Sequence, residues 1–269
     1  EDNSVNQQVA LLILKQLGYQ ADVAGNGLEV LQRLRRQLYD VVLMDVQMPK
    51  MDGLATACHI CQAWPLAPAL EGTPRPRIIA LTAYATQENW EQCLKAGMDD
   101  YISKPIRLEK LINSLSQCQP HAGKYQGIKS ATPYSSIPSI KRDGPGTSHS
   151  LLSNALDAKT LQALRKMAGP KATEVVPQII NNYLEEAPQL LQAIRAAAVA
   201  SDAVALRQTA HSLRGASANL GATSLCQLCQ ALEATATAGS TIGALTKVSQ
   251  VETEYETVKA ALQIELQQS

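Results

Sequence analysis

Three side chains with phosphoryl-transfer chemistry each follow a short apolar run. Asp45 comes after Val41–Met44, Thr82 after Ile78–Leu81, and Lys104 after the shorter run at Tyr101–Ile102. Glu1 and Asp2 stand just ahead of a segment with helical spacing. If the runs are parallel strands, all five residues gather at carboxyl ends, where open α/β sheets place their sites. Three carboxylates in one crevice repel and require a cation, and oxygen donors with water positions to spare suit Mg²⁺. A hydroxyl and an ammonium facing that ion can hold the oxygens of a transferring phosphoryl group. A second centre is His211, with Arg207, Arg214 and Gly215 at i−4, i+3 and i+4. Its imidazole can act as a nucleophile when the attacking nitrogen is unprotonated. The two guanidinium groups can attract a partner's carboxylates and phosphoryl oxygens. Gly215 costs a helix about 1 kcal/mol relative to Ala. Its missing side chain would let a partner's crevice close over the imidazole.

Singly, each residue has an ordinary explanation: a turn aspartate, a packed hydroxyl, a solvated lysine, a partly exposed structural histidine. For Asp45, Thr82 and Lys104 the joint recurrence at strand ends carries the chemical reading, whereas for His211 the immediate neighbours alone favour the structural one. The elements needed to position them are legible. Val5, Val9, Leu12 and Leu17 sit at helical spacing, and Gly18 ends that helix. Gln20–Ala24 reads as a short strand, and Asn26 as the cap of a helix carrying Leu28, Leu31, Leu34 and Leu38. The runs at 41–44 and 78–81 are continuously apolar, as expected of strands buried on both faces. Helices near 53–64, 86–96 and 107–118 alternate with them, which implies a doubly wound parallel sheet. Beyond residue 152 the alternation stops. Helical patterns run over 157–167, 172–186, 188–199, 202–219, 223–238 and 243–266, an all-α bundle. Pro188 suits the first turn of its helix, and Pro177 implies a kink or a helix start. On the 202–219 helix the buried stripe is Leu206, Ala210, Leu213 and Ser217, which puts His211 at the solvent edge.

Between the two halves, residues 119–152 hold four Pro, four Gly, six Ser and two Thr, a linker composition. The expected units are therefore 1–118, a linker at 119–152, and 153–269. Composition narrows the function classes. The chain has 269 residues, 24 basic against 24 acidic, and 45% hydrophobic residues. It has packed cores, no basic footprint for nucleic acid and, without a single Phe, no aromatic platform for bases. No apolar run exceeds six residues, far below the roughly 18 needed to span a bilayer, so direct membrane contact is not expected. Six cysteines make no dense disulfide framework, which favours a reducing, cytoplasmic setting. Cys58-x-x-Cys61 and Cys226-x-x-Cys229 invite a zinc reading. Both pairs fall within helices on separate domains, where cysteines act as small hydrophobes.

The blocks Glu1-Asp2-Asn3, Met44 to Gly53, Ala80-Leu81-Thr82-Ala83 and Ser103-Lys104-Pro105 resemble the receiver domain of two-component response regulators. The resemblance implies a flavodoxin-like sheet and Asp45 as phosphoacceptor. It further implies Asp2, Asp45 and the Gln47 backbone carbonyl as Mg²⁺ ligands, with Glu1 acting through water. Thr82 and Lys104 would contact phosphoryl oxygens, Tyr101 would be a switch aromatic, and Lys104–Pro105 a cis bond. The family's first strand, ahead of the acidic pair, is missing, so the native protein is expected to continue upstream. The Pro-rich stretch Trp64–Arg77 is expected to be tolerated surface. The block around His211, with Leu156-Asp157, the Tyr183–Pro188 turn and Cys229–Glu233, resembles a histidine phosphotransfer (Hpt) domain. That implies a four-helix bundle with an accessory helix and His211 as its phosphorylated nucleophile.

A receiver followed by an Hpt domain resembles the C-terminal part of a hybrid sensor histidine kinase. The order implies a multistep phosphorelay, from an upstream kinase histidine on the same polypeptide to Asp45, to His211, and to a separate response regulator. The chain shows no Gly-rich ATP site, so it would relay phosphoryl groups without making them. A linker of this length has a reach of about 30–35 Å, compatible with transfer within one chain. Transfer across a homodimer formed through the parent kinase is equally compatible. The rival reading is a scaffold whose receiver only docks partners.

Overall fold

The computed structural model describes residues 1–83, 86–118, 155–237, 241 and 243–268; the expected linker at 119–152 lies outside them. The first unit runs α1 (Ser4–Gln16), α2 (Gly27–Leu34), β1 (Val41–Asp45), α3 (Gly53–Ala63), β2 (Arg77–Thr82), α4 (Gln87–Lys95), β3 (Asp100–Ser103) and α5 (Leu108–Ser116). Local chemistry sets the helix starts. Asn3, Asn26, Asp52 and Thr86 each accept a hydrogen bond from a backbone N–H three residues on, satisfying one of the orphan donors at a helix N-terminus. At α2 the Glu29 carboxylate returns the favour to the Gly25 N–H at 2.9 Å, closing a reciprocal cap.

The sheet is parallel in the order β1-β2-β3, with Asp45 opposite Leu81 and Thr82 opposite Ser103. Period-two alternation on β2 divides the core. Ile79 and Leu81 face α1 and α5 with Val5, Val9, Ile13, Leu111 and Leu115, whereas Ile78 and Ala80 face Met44, Ile60, Cys93 and Met98. β2 is buried on both faces as expected, but Val41, Val42 and Leu43 are only half-buried because β1 is a sheet edge. The strand expected at Gln20–Ala24 does not form; these residues run alongside without a ladder partner. The stretch Trp64–Arg77 is also more than tolerated surface. It carries a short 3-10 turn at Pro68–Leu70, buries Leu70, and ties the Trp64 indole N–H to the Thr73 carbonyl at 2.9 Å.

The second unit is helical throughout its described residues: α6 (Ala158–Ala168), α7 (Ala172–Val199), α8 (Ala203–Asn219), α9 (Thr223–Thr237) and α10 (Ala244–Gln268). The break expected at Pro188 is absent. α7 is one helix of 28 residues with Pro177 and Pro188 inside it, so Tyr183–Pro188 is helix and not turn. An internal proline costs a helix about 3 kcal/mol. The stripe Val176, Ile179, Ile180, Tyr183, Ala187, Leu191, Ile194 and Ala198, buried along the whole length, outweighs that cost. Tyr183 is the anchor: its ring lies 6.3 Å from that of Tyr255, and its hydroxyl meets Ser217 Oγ at 3.0 Å. Cys229 is fully buried among these helices, and burial pushes the Cys226 thiol up to about 12.

The two units touch through α1, which packs on α6, α7 and α8. One hydrophobic cluster therefore continues from the sheet, through Val5, Val9 and Ile13, into the bundle. The run Val9–Leu14 puts apolar groups around more than one face of α1, and such a helix must be covered on two sides. Among the described residues, no helix is long and apolar enough to cross a membrane.

Candidate functional site

Parallel register brings the first set of residues together. The Val46 N–H donates to the Leu81 carbonyl at 3.1 Å and the Lys104 N–H to the Thr82 carbonyl at 2.7 Å, so three strand ends share one rim. The Lys104–Pro105 peptide is cis. Lys104 Nζ lies 2.6 Å from Asp45 Oδ2 and 2.6 Å from Glu1 Oε2. Asp45 and Thr82 are buried at this rim. Behind them a Cβ on Gly53 would stand 2.1 Å from the Asp45 carbonyl oxygen, so only glycine lets α3 approach this closely.

The charges are unequal partners. Burial, reinforced by the Glu1 charge, holds the Asp45 carboxyl above its ordinary range despite Lys104. Asp2 is raised by burial and then by Glu1 and Asp45. For Glu1, burial opposes the charge but Lys104 outweighs it, and the carboxyl is held low. Burial also works against the Lys104 ammonium, yet Asp45 and Glu1 together keep it charged well above the usual lysine range. Three carboxylates against one ammonium leave excess negative charge. Donor oxygens of Glu1, Asp2 and Asp45 lie within 4.8 Å of one another, an all-oxygen set that fits Mg²⁺. Gln47 follows two residues on; its N–H donates to Asp45 Oδ1 at 3.2 Å. Tyr101 turns outward from β3, 38% exposed, with its ring 4.9 Å from that of Trp90.

His211 departs from its expected position. It is buried, 6% exposed, and not at a solvent edge. Its Nδ1 stands 3.3 Å from Glu233 Oε2 on α9 and 3.3 Å from an Arg214 guanidinium nitrogen. Arg214 is committed to Glu233, Nε to Oε1 at 2.6 Å, and does not reach outward to a partner. Arg207 keeps a half-buried place one turn earlier. Glu233 entered the sequence reading only as the end of the Cys229–Glu233 block and was given no role there. A glutamate on the same helix face as Leu225, Cys229 and Leu232 was the available signal, since a buried carboxylate needs a partner. With Nδ1 held inside the bundle, Nε2 is the nitrogen left to meet a substrate.

What covers His211 is the receiver crevice itself. Ser212 Oγ donates to Asp2 Oδ2 at 3.4 Å, Ser4 Oγ to Glu186 Oε2 at 2.8 Å, and Asn219 Nδ2 to Asn6 Oδ1 at 2.6 Å. His211 is near enough that a charged imidazole would stabilise the Asp45 carboxylate. A Cβ on Gly215 would lie 2.9 Å from Asn6 Nδ2. Between the units remains a water-sized cavity of about 10 Å³ lined by Glu1, Asn6, Lys104, Gly215 and Asn219, among others.

Comparison with known proteins agrees with this division. The model for the response regulator receiver domain matches residues 1–116, and that for the Hpt domain matches 178–261. The sensor histidine kinase GacS of Pseudomonas protegens is 30% identical over 236 residues, covering 87% of this chain and 23% of its own length. The chain spans less than a quarter of the curated relatives it matches. Among solved structures, histidine-containing phosphotransfer protein B of Pseudomonas aeruginosa PAO1 is 31% identical, with a TM-score of 0.40, covering 43% of this chain and 96% of that one. A receiver domain of a sensor histidine kinase from the same organism, described with a magnesium ion in its active-site cleft, is 40% identical, with a TM-score of 0.37, covering 43% and 89%. The chain thus carries a region matching the response regulator receiver domain at residues 1–116, followed by one matching the Hpt domain at 178–261.

Proposed function

We propose that the chain accepts a phosphoryl group on Asp45, passes it to His211, and delivers it to a separate receiver. The observation that supports this most strongly is the burial of His211 beneath the crevice that holds Asp45, Lys104 and Glu1. In the first step a carboxylate oxygen of Asp45 attacks a phosphohistidine phosphorus; the P–N bond breaks and its electron pair returns to the donor imidazole. In the second, His211 Nε2 attacks the same phosphorus. The bond to Asp45 breaks, and the carboxylate regains its charge beside Lys104. Lys104 therefore stabilises the leaving carboxylate, and Thr82 is placed to hold a phosphoryl oxygen. In the tautomer with hydrogen on Nδ1, Glu233 Oε2 accepts its hydrogen bond, which holds the ring and leaves the Nε2 lone pair available. A closed interface with room for a single water limits loss of the phosphoryl group to hydrolysis.

Glu1, Asp2, Asp45 and the Gln47 carbonyl are the residues that would hold Mg²⁺, which would neutralise phosphoryl oxygens when bound. Tyr101 is assigned the switch position. Units at 1–118 and 153–269, an upstream kinase domain on the same polypeptide, a downstream response regulator and a cytoplasmic location complete the proposal. The test is handover. The phosphorylated chain mixed with a separate receiver should transfer its label, and His211→Gln should abolish that transfer while leaving Asp45 labelled. Undiminished transfer from the His211→Gln chain would contradict it.

A further inference from the structure

Of the polar contacts between the two units, one runs on into the carboxylate and ammonium cluster. Asn6, 8% exposed on α1, donates through Nδ2 to Glu1 Oε1 at 2.8 Å and accepts through Oδ1 from Asn219 Nδ2 at 2.6 Å. Glu1 in turn shares Lys104 with Asp45. A single amide thus joins the acidic crevice to the last residue of α8, two turns beyond His211. Its orientation is fixed at both ends. A carbonyl oxygen faces a donor on the bundle and an N–H₂ faces a carboxylate on the receiver, so a flipped amide loses both bonds. A side chain without both functions at this position loses the bond to Asn219 Nδ2 or the bond to Glu1 Oε1.

We propose that the Asn6–Asn219 pair is the specificity determinant that selects this chain's own receiver as the donor to His211. The inference rests on the relay reading and adds to it that loading of His211 occurs within one chain. The same face of α8 must release Asn6 before a downstream receiver can reach His211, so the donor receiver also competes with the acceptor.

The test uses the full chain with Mg²⁺ and acetyl phosphate, following base-labile label on Asp45 and acid-labile label on His211 by rapid quench. Asn219→Ala should leave Asp45 labelling unchanged and slow the appearance of phosphohistidine about five- to tenfold, the value of one hydrogen bond. Asn6→Ala loses the bond to Glu1 as well and should slow phosphohistidine formation at least as much, and the double variant should be no slower than Asn6→Ala, because the bond to Asn219 is already gone. The unmodified rate constant should not change with chain concentration. A phosphorylated receiver lacking an amide at the Asn6 position should load the Asp45→Asn chain equally well with or without Asn219→Ala, which a general loss of bundle structure would not allow. Unslowed transfer in Asn219→Ala, multiplicative single effects, or a rate constant proportional to chain concentration would overturn the proposal. If the unmodified chain labels Asp45 and never His211, the relay reading itself falls with it.

Discussion

Gly215→Ala should move stability and function in opposite directions. Within α8 the change removes a glycine from a helix interior, worth about 1 kcal/mol in favour of the variant. For a bundle of this size that raises the melting temperature by roughly 4 °C. At the interface the new methyl group would sit 2.9 Å from Asn6 Nδ2. Ordinary contact needs about 0.5 Å more, and Asn6 cannot swing away without giving up Glu1 or Asn219. Losing one or both bonds costs about 1–2 kcal/mol, which slows docked transfer about five- to thirtyfold. The assay pairs thermal unfolding followed by circular dichroism with rapid-quench transfer from Asp45 to His211. A rise in melting temperature with unchanged transfer would refute the docking geometry. A fall in both would make Gly215 a packing residue of the bundle alone.

Other expectations follow from single contacts. Glu233→Ala strands Arg214 beside a buried imidazole and should destabilise the bundle by about 3 kcal/mol, measurable by urea unfolding. Lys104→Gln removes the cation between Asp45 and Glu1, and labelling of Asp45 by acetyl phosphate should fall about 100-fold while the sheet stays folded. Asp99 receives two bonds from Arg75, at 2.6 and 2.7 Å, and one from the Ile78 N–H. Burial raises its pKa, but these donors outweigh burial and hold it below the ordinary 3.8. A depressed folded value contributes stability that is complete above the unfolded value and is lost as pH falls through the folded one. Asp99→Asn should therefore narrow the stability gap between pH 6 and pH 3, and an unchanged gap would remove the assignment.

Much of the site was legible because it depends on local pattern. Apolar runs followed by Asp45, Thr82 and Lys104 mark strand ends whatever the strands pair with, and Asn26 caps α2 through a contact three residues away. The misread elements depend on distant partners. Gln20–Ala24 has strand composition but no ladder partner, and β1 has a fully apolar run but sits at an edge. Pro188 marks a helix start only if burial does not decide, and along α7 burial decides. The expected solvent edge at His211 was wrong because helical spacing on α8 cannot show that Glu233 on α9 meets its Nδ1 or that the receiver lies close by. Glu233 and Asn219 gain their roles from the same fold-level encounters. The six-residue apolar run on α1 was the one visible sign that this helix needed a second neighbour.

The central claim is that one phosphoryl group visits Asp45 and then His211. The most direct measurement gives the full chain labelled acetyl phosphate with Mg²⁺ and locates the label in the unmodified, Asp45→Asn and His211→Gln proteins. The account predicts base-labile label on Asp45 and acid-labile label on His211, with the histidine label lost in Asp45→Asn and the aspartate label retained in His211→Gln. Histidine label that persists in Asp45→Asn, or no histidine label in a folded unmodified chain, would contradict it.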